Sequence, residues 1–138
     1  MATVTVQSIE NLKQEIASGT NRILADEPVS SGGNGEGFDP YSLLIAALGA
    51  CTSMTLKLYA RQKGWDLQSV HVTLTHQKIH AEDCSDCESR EGKIDRIDRK
   101  IELKGNLTEE QILRLREIAK RCPVHRTLSS EISIIDTV

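Results

Sequence analysis

The first part of the chain alternates apolar and polar residues over short stretches, a pattern that favours β-strands. Residues 2–8 and residues 22–25 each predict a strand. Residues 9–17 fit either a helix or a strand that enters a turn at Gly19. A loop rich in Gly and Ser follows over residues 29–37, and it lies directly before the first long apolar segment.

This apolar segment predicts a long helix from Pro40 to about Lys63. Asp39 is a good N-cap, and Pro40 suits a first turn, where no backbone donor is needed. Gly64 is a typical residue for the end of a helix. Residues 43–51 are apolar on every side of the helix, which is typical of a helix that is buried all round. We therefore expect a deeply packed central helix.

Two further strands are predicted after this helix. Residues 70–75 alternate strictly, which indicates a strand with one buried face. The apolar residues within 94–103 indicate a second strand with an irregularity near residues 95–98. Residues 81–92 between them are polar and acidic. We expect the two strands to form a long hairpin or an adjacent pair.

A second helix is predicted to begin at a capping box made by Thr108 and Gln111. Its apolar positions follow one face and reach Cys122, and Pro123 is expected to end the helix. Residues 128–135 predict a final strand. The order is therefore strands, helix, strand pair, helix and strand. Because strands are grouped rather than alternating with helices, the sequence predicts an α+β fold.

Composition adds that this is one domain, residues 1–138, with a net charge of −3. Mixed charges provide no basic surface for nucleic acid or a membrane, and one Phe, two Tyr and one Trp are too few for base stacking. The longest uncharged apolar run, residues 43–54, is too short to span a bilayer, and the N-terminus has no signal-peptide stretch. We therefore expect a cytoplasmic protein, in which four cysteines indicate free thiols, metal ligands or redox chemistry.

Two of the cysteines lie in motifs that resemble a known family. Residues 37–56, GFDPYSLLIAALGACTSMTL, are similar to the first helix of the OsmC/Ohr superfamily, in which an Asn/Asp-Pro start leads into an apolar helix bearing a cysteine. Residues 117–132, EIAKRCPVHRTLSSEI, are similar to its second helix, which ends in Cys-Pro. The resemblance covers roughly residues 20–135 and is greater to the OsmC-like branch than to the Ohr branch.

The resemblance implies an intertwined homodimer with two long central helices packed against β-sheets. It implies a thiol peroxidase that reduces organic hydroperoxides in oxidative stress defence. Cys51 would attack the peroxide and Cys122 would resolve the oxidised Cys51 as a disulfide. No cofactor is expected, and an external dithiol would supply the electrons.

The chain departs from the family pattern where the thiolate of Cys51 would be activated. In the best-studied branch a Glu follows the helix-starting Pro and orients an Arg onto the thiolate, but Tyr41 stands at that position here. A buried thiol without a nearby cation or donor is normally inert. The candidates are Arg22, Arg121 and Arg126 for the cation and Glu27 and Glu36 for the carboxylate.

The acidic segment of residues 81–92 holds a second pair of cysteines, Cys84 and Cys87, in a CxxC pattern. His80 lies four residues before Cys84, and His76 lies four residues before His80. Thiolate and imidazole are ligands that zinc prefers, so this loop is a candidate metal site, with Cys84, Cys87 and His80 as its first ligands. A redox-sensing thiol pair and a polar loop without chemistry are the other interpretations.

Three functions therefore remain open at this stage. The first is a hydroperoxide reductase that uses Cys51 and Cys122. The second is a non-enzymatic metal- or redox-sensing protein that uses the His76/His80/Cys84/Cys87 loop. The third is a carrier of apolar ligands. Cysteines are also common as small core residues, and His125 after the second helix is more often structural than functional.

Overall fold

The computed structural model describes residues 1–137. The chain divides into two compact units, Met1–Leu44 and Ile45–Val138. Short 3-10 helices occur at Val29–Ser31 and Ala81–Asp83. The strands and α-helices are, in chain order, β1 (Thr5–Ser8), β2 (Gln14–Ser18), β3 (Asn21–Ala25), α1 (Pro40–Lys63), β4 (Asp66–His80), β5 (Lys93–Asn106), α2 (Glu109–Ala119) and α3 (Pro123–Leu128). Strands and helices are thus both present, and the α+β class is confirmed.

The first unit contains an antiparallel sheet in the order β1-β2-β3. Ile16 of β2 lies opposite Val6 on one side and Ile23 on the other. Residues 9–17, for which the sequence fits either a helix or a strand, form a tight turn and then strand β2. The turn is closed by a hydrogen bond from Ile9 N to Lys13 O. The predicted strands at residues 2–8 and 22–25 are confirmed with small shifts of their ends.

A buried carboxylate organises the Gly-rich loop that follows β3. Asp26 accepts hydrogen bonds from the backbone N–H groups of Glu27 (2.8 Å), Asn34 (3.1 Å) and Glu36 (3.2 Å). Burial alone would raise the pKa of Asp26, but these donors lower it. A Cβ at Gly33 would lie 2.0 Å from the Glu27 carbonyl oxygen, so the loop can close this tightly only with Gly there.

The bounds of α1 agree with the sequence prediction. Asp39 accepts from Ser42 N at 3.3 Å and also from the Ser42 hydroxyl, and mainly because of that hydroxyl the pKa of Asp39 is lowered. Gly64 follows the last residue with a φ of 70°, which an L side chain rarely adopts. Local capping chemistry therefore fixes both ends of the helix.

The sequence predicts that the first half of α1 is buried all round, and the single chain covers the helix on one side only. Its buried residues follow a single face, Leu48, Gly49, Thr52, Leu56 and Ala60. Met54 and Leu58 on the other side are 64% and 52% exposed, because the described part of the chain covers only one side of the helix. By length and composition alone α1 is apolar enough to cross a membrane, a criterion that the core helix of a soluble protein also meets.

The second unit contains a long antiparallel hairpin of β4 and β5. The predicted irregularity at residues 95–98 was wrong, because the ladder is continuous there and the register shifts instead between Leu67 and Ser69. The three-residue spacing of Ile94 and Ile97 suggested a bulge, but the two side chains simply lie on opposite faces of a regular strand.

The core of this unit forms where α1 and α2 meet one face of the hairpin. The buried hydrophobic residues of this core are Leu56, Ala60, Leu67, Leu115, Ile118 and Ala119. Helix α2 begins at the predicted capping box, in which Thr108 Oγ1 accepts from Gln111 N at 3.1 Å and the Gln111 side chain accepts from Thr108 N at 3.0 Å. The second predicted helix is therefore confirmed at its start.

Its predicted end was wrong. Helix α2 ends at Ala119, and Pro123 begins α3 rather than ending a helix. Proline is favoured in a first turn, because its missing N–H would have no partner there. Cys122 is the N-cap of α3 and not the last residue of α2. The cysteine therefore lies in the tight connection between two helices.

The predicted strand over residues 128–135 was also wrong. Leu128 is the last residue of α3, and the described residues 131–137 form neither helix nor strand. Ile134 and Ile135 are 85% and 80% exposed. The segment has the β-branched residues of a strand, but a strand needs a neighbour to pair with, and the described part of the chain offers none.

Candidate active site

The site is built around the buried sulfur of Cys122. The thiol is fully buried at the N-cap of α3, where it accepts a hydrogen bond from the backbone N–H of His125 at 3.3 Å. Thr52 of α1 is also fully buried, and its Oγ1 lies 3.9 Å from the Cys122 sulfur. The Thr52 hydroxyl donates to the carbonyl oxygen of Leu48 at 2.7 Å. The hydroxyl is therefore fixed, with its lone pairs available to other donors.

Arg99 of β5 supplies such a donor. Its Nη1 donates to Thr52 Oγ1 at 3.0 Å and to the carbonyl oxygen of Ala119 at 3.4 Å. Among the described residues Arg99 takes part in no ion pair within 4 Å. The guanidinium charge is thus held beside Thr52 and Cys122 by neutral oxygen atoms, and no described carboxylate lies within 4 Å of it.

Cys51 belongs to the same part of the second unit. It directly precedes Thr52 on α1, whose hydroxyl oxygen lies 3.9 Å from the Cys122 sulfur. Cys51 is half-buried, and both thiols are free. A small molecule can therefore reach the Cys51 thiol, whereas the Cys122 thiol is protected from solvent.

A cavity of about 310 Å³ opens beside this network and is lined by Arg99, His125, Leu48 and Leu128 among others. The pKa of His125 is lowered, first by burial and then by the positive charges of Arg99 and Lys120. His125 is therefore favoured in its neutral form, which leaves Arg99 as the cation that faces the cavity.

Of the activating residues expected from the sequence, Arg22 and Glu27 belong to the first unit and Arg126 belongs to the second. Arg22 of β3 is exposed and lies 3.8 Å from Glu15, and Arg126 is an exposed residue of α3. Glu27 is half-buried in the Asp26 loop. Sequence reasoning missed Arg99. One signal was present, however: Arg99 shares the parity of the apolar inward positions on both sides of it in β5, where a charged residue is unusual.

The other two cysteines form a disulfide, Cys84–Cys87, in the connection between β4 and β5. Together with Asp86 their ligand atoms lie within 4.8 Å of one another, and His80 is not part of this group. His76 instead lies 2.9 Å from Asp95, which also pairs with Lys78 at 2.9 Å. The zinc ligand set predicted from the sequence would therefore need reduction of the disulfide and a rearrangement of His80.

The sequence model of the OsmC-like protein family matches residues 33–135. The chain belongs to the OsmC-like family. The matched range includes Cys51, Arg99, Cys122 and the Cys84–Cys87 hairpin, so all parts of the site and its surroundings lie within the family region. No curated protein sequence matches the chain.

Solved structures of OsmC-like proteins have the same fold. A protein from Psychrobacter arcticus, described as an osmotic stress induced and detoxification response protein, has a TM-score of 0.74 and 22% identity over 92% of this chain and 88% of its own. An OsmC-like protein from Mycoplasma pneumoniae has a TM-score of 0.73 and 24% identity over 94% and 87%. An organic hydroperoxide resistance protein from Legionella pneumophila has a TM-score of 0.65 and 18% identity over 93% and 88%.

Proposed function

We propose that this OsmC-like protein is a cytoplasmic thiol peroxidase that reduces organic hydroperoxides, with Cys51 as the peroxidatic and Cys122 as the resolving cysteine. The observation that carries the proposal is the network Arg99–Thr52–Cys122, which holds a cation beside a buried thiol and on the residue that directly follows Cys51. The name of the Legionella relative, an organic hydroperoxide resistance protein, supports the choice of substrate.

The chemistry proceeds in three balanced steps. The Cys51 thiolate attacks one oxygen of the hydroperoxide, so an S–O bond forms, the O–O bond breaks and the alkoxide leaves as an alcohol after taking a proton. The Cys122 thiol then attacks the sulfenic acid of Cys51, which releases water and forms a disulfide. An external dithiol finally returns two electrons and two protons to the pair.

Arg99 has the properties that the first step needs. Negative charge moves from the Cys51 sulfur to the leaving alkoxide oxygen, and a fixed cation in a partly buried site stabilises such charge more than one in water. The cavity beside Arg99 combines this charge with apolar side chains of Leu48 and Leu128. It therefore suits a peroxide group attached to an apolar body.

The exposed apolar side of α1 supports a homodimer. Met54 and Leu58 are large, apolar and more than half exposed in the single chain. A second copy that packed on this side would bury both residues, as the intertwined dimer expected from the family would do.

The test follows consumption of cumene hydroperoxide with dithiothreitol or dihydrolipoamide as reductant. Wild type should turn over repeatedly and Cys51→Ser should not react. Without reductant, Cys122→Ser should consume one equivalent and accumulate a sulfenic acid that dimedone traps at Cys51. The double variant Cys84→Ser/Cys87→Ser is the matched control and should keep the initial rate of the first oxidation. Full turnover by Cys51→Ser would refute the proposal.

The second candidate function is a metal sensor, and the grouping of Cys84, Asp86 and Cys87 within 4.8 Å is the observation that favours it. Reduction of the disulfide would free two thiolates for zinc. Metal analysis of untagged, reduced protein would decide: near-stoichiometric zinc that is lost in Cys84→Ser/Cys87→Ser would support the sensor, and zinc-free protein would exclude it.

A further inference from the structure

The Cys84–Cys87 disulfide faces a cavity that adjoins the candidate active site. This cavity, of about 600 Å³, is lined by both cysteines and also by Asp95, Ile97 and Ser129. The same three residues line the cavity that contains Arg99 and His125. We call the surface formed by Asp95, Ile97 and Ser129 the shared groove. Both cavities lie within the second unit, so one face of the molecule connects the two cysteine pairs.

The backbone makes this connection short. Ile97 and Arg99 are two residues apart on β5, which is about 7 Å along a strand. The segment between β4 and β5 folds back towards this face, since Cys84 and Cys87 line the same cavity as Ile97. It is closed at its base by a hydrogen bond from Ala81 N to Gly92 O at 2.9 Å. The disulfide therefore lies in a loop that is closed at its base and that borders the shared groove, which leads to Arg99.

The charges around the two pairs differ in sign. The loop around Cys84 and Cys87 is acidic, whereas the cation Arg99 lies beside Cys122 and forms no ion pair within 4 Å among the described residues. Carboxylates disfavour thiolates and therefore favour the disulfide, and a cation does the opposite. The acidic side chains closest in sequence to the CxxC pair are Glu82, Asp83, Asp86 and Glu88.

The geometry of the two pairs also differs. The sulfur atoms of Cys84 and Cys87 are joined as a disulfide, while Cys51 and Cys122 are free thiols.

We propose that Cys84 and Cys87 form an internal electron relay that regenerates the Cys51–Cys122 pair by thiol–disulfide exchange across the shared groove. The proposal rests on the peroxidase function proposed above. A thiolate of the reduced CxxC pair attacks the Cys51–Cys122 disulfide, a mixed disulfide forms, and the second CxxC thiol resolves it. Two electrons and two protons pass to Cys51 and Cys122, and Cys84–Cys87 becomes a disulfide. An external dithiol then reduces this more accessible disulfide.

Attack requires direct contact between sulfur atoms, so the loop must move along the groove during the transfer. Connecting loops open at low free-energy cost compared with strands and helices. The acidic surroundings also make Cys84 and Cys87 poor direct targets for peroxide. The Cys51–Cys122 pair would thus react with peroxide, and the Cys84–Cys87 pair would react with the external reductant.

The experiment uses fully reduced full-length protein freed of reductant. Cumene hydroperoxide is added, samples are quenched with N-ethylmaleimide at increasing times, and disulfides are mapped by peptide mass spectrometry. With one equivalent, Cys51–Cys122 should appear first and then decay as Cys84–Cys87 appears. With excess peroxide, wild type should consume two equivalents per chain and Cys84→Ser/Cys87→Ser only one. The transfer rate should not change with protein concentration.

Each other outcome has a definite meaning. A Cys51–Cys122 disulfide that persists while Cys84 and Cys87 stay reduced would overturn the relay and leave the peroxidase function intact. Formation of Cys84–Cys87 in Cys51→Ser at the wild-type rate would also overturn it, as would a transfer rate proportional to protein concentration. No oxidation of Cys51 at all would overturn the peroxidase function and the relay together.

Discussion

The guanidinium of Arg99 donates to the hydroxyl of Thr52 across 3.0 Å and joins β5 to α1 beside the buried sulfur of Cys122. The two residues are 47 positions apart in the sequence. Because Thr52 directly follows Cys51, this hydrogen bond also fixes the helix backbone that carries the proposed peroxidatic cysteine. In the proposed reaction Arg99 would therefore act both as a charge and as a positioning residue.

Replacement of Arg99 by Met should lower peroxide turnover by about 10²-fold, which is typical for loss of one preorganised donor. Met retains much of the side-chain volume but removes the charge and the hydrogen bond to Thr52. Arg99→Lys should restore part of the rate, because it keeps a point charge without the planar donor geometry. Initial rates with cumene hydroperoxide measure the effect, and Arg126→Met on the exposed side of α3 is the control. Equal rates for Arg99→Met and wild type would argue against the role of this cation.

Thr52→Val should destabilise the protein by about 1–3 kcal/mol, the range for a buried polar group that loses its partner. Val has nearly the shape of Thr but cannot accept the hydrogen bond from Arg99. Urea unfolding at neutral pH provides the free energy of unfolding. The matched control is Thr73→Val on the exposed side of β4, which should change the stability by less than about 0.5 kcal/mol. Similar changes in the free energy of unfolding at both positions would show that the buried Thr52 hydroxyl does not stabilise the protein more than an exposed one does.

The stability of the protein should fall as the pH drops below 6.5. Burial, and then the charges of Arg99 and Lys120, hold the pKa of His125 below its ordinary value of 6.5. The unfolded chain therefore binds this proton at a higher pH than the folded protein, so the contribution is fully present above 6.5 and is lost as the pH falls through the folded pKa.

His125→Gln should remove this contribution. Its urea midpoint should decline less steeply than that of wild type between about pH 7 and about pH 5. The matched control is His71→Gln on the exposed side of β4. Asp95, whose pKa is lowered by the side chains of Lys78 and His76, acts only below its ordinary value of 3.8 and does not enter this window. A variant that kept the full wild-type slope would contradict the assignment to His125.

The protein should sediment at twice the chain mass of 15.3 kDa. Met54 and Leu58 lie one turn apart on the exposed side of α1, so the double variant Met54→Glu/Leu58→Glu should shift the protein towards the monomer. Gln62→Glu, which adds a charge at an exposed position of the same helix, should leave the dimer intact. A monomeric wild type at micromolar concentration would exclude the intertwined dimer.

The features predicted correctly from the sequence are those that depend on residues close together in the chain. Asp39 and Gly64 mark the two ends of α1, and the capping box of Thr108 marks the start of α2, because these signals act within a few residues. The hairpin was also predicted, since its strands follow each other in the chain and their alternation indicates one buried face. Cys51 lies on α1 as predicted, whereas Cys122, predicted at the end of α2, is the N-cap of α3.

The sequence could not provide what depends on distant partners. In the sequence Arg99 is an ordinary strand residue, because its hydrogen-bond partners Thr52 and Ala119 lie on other elements. Residues 128–135 have strand propensity, but propensity alone cannot supply a neighbouring strand. Pro123 permits either the end of one helix or the start of the next, and the choice depends on how the turn around Cys122 packs.

The side chain that caps α3 is the thiol of Cys122, so the proposed oxidation of this thiol would change the start of the helix. The Cys122 sulfur accepts the N–H of His125 while it is free. Bonded to Cys51 it becomes a weaker acceptor with a different direction, so we expect the first turn of α3 to loosen. Amide hydrogen exchange at His125 would then report the cycle, faster in oxidised than in reduced protein. Each peroxide molecule consumed would briefly loosen α3 and the residues that follow it.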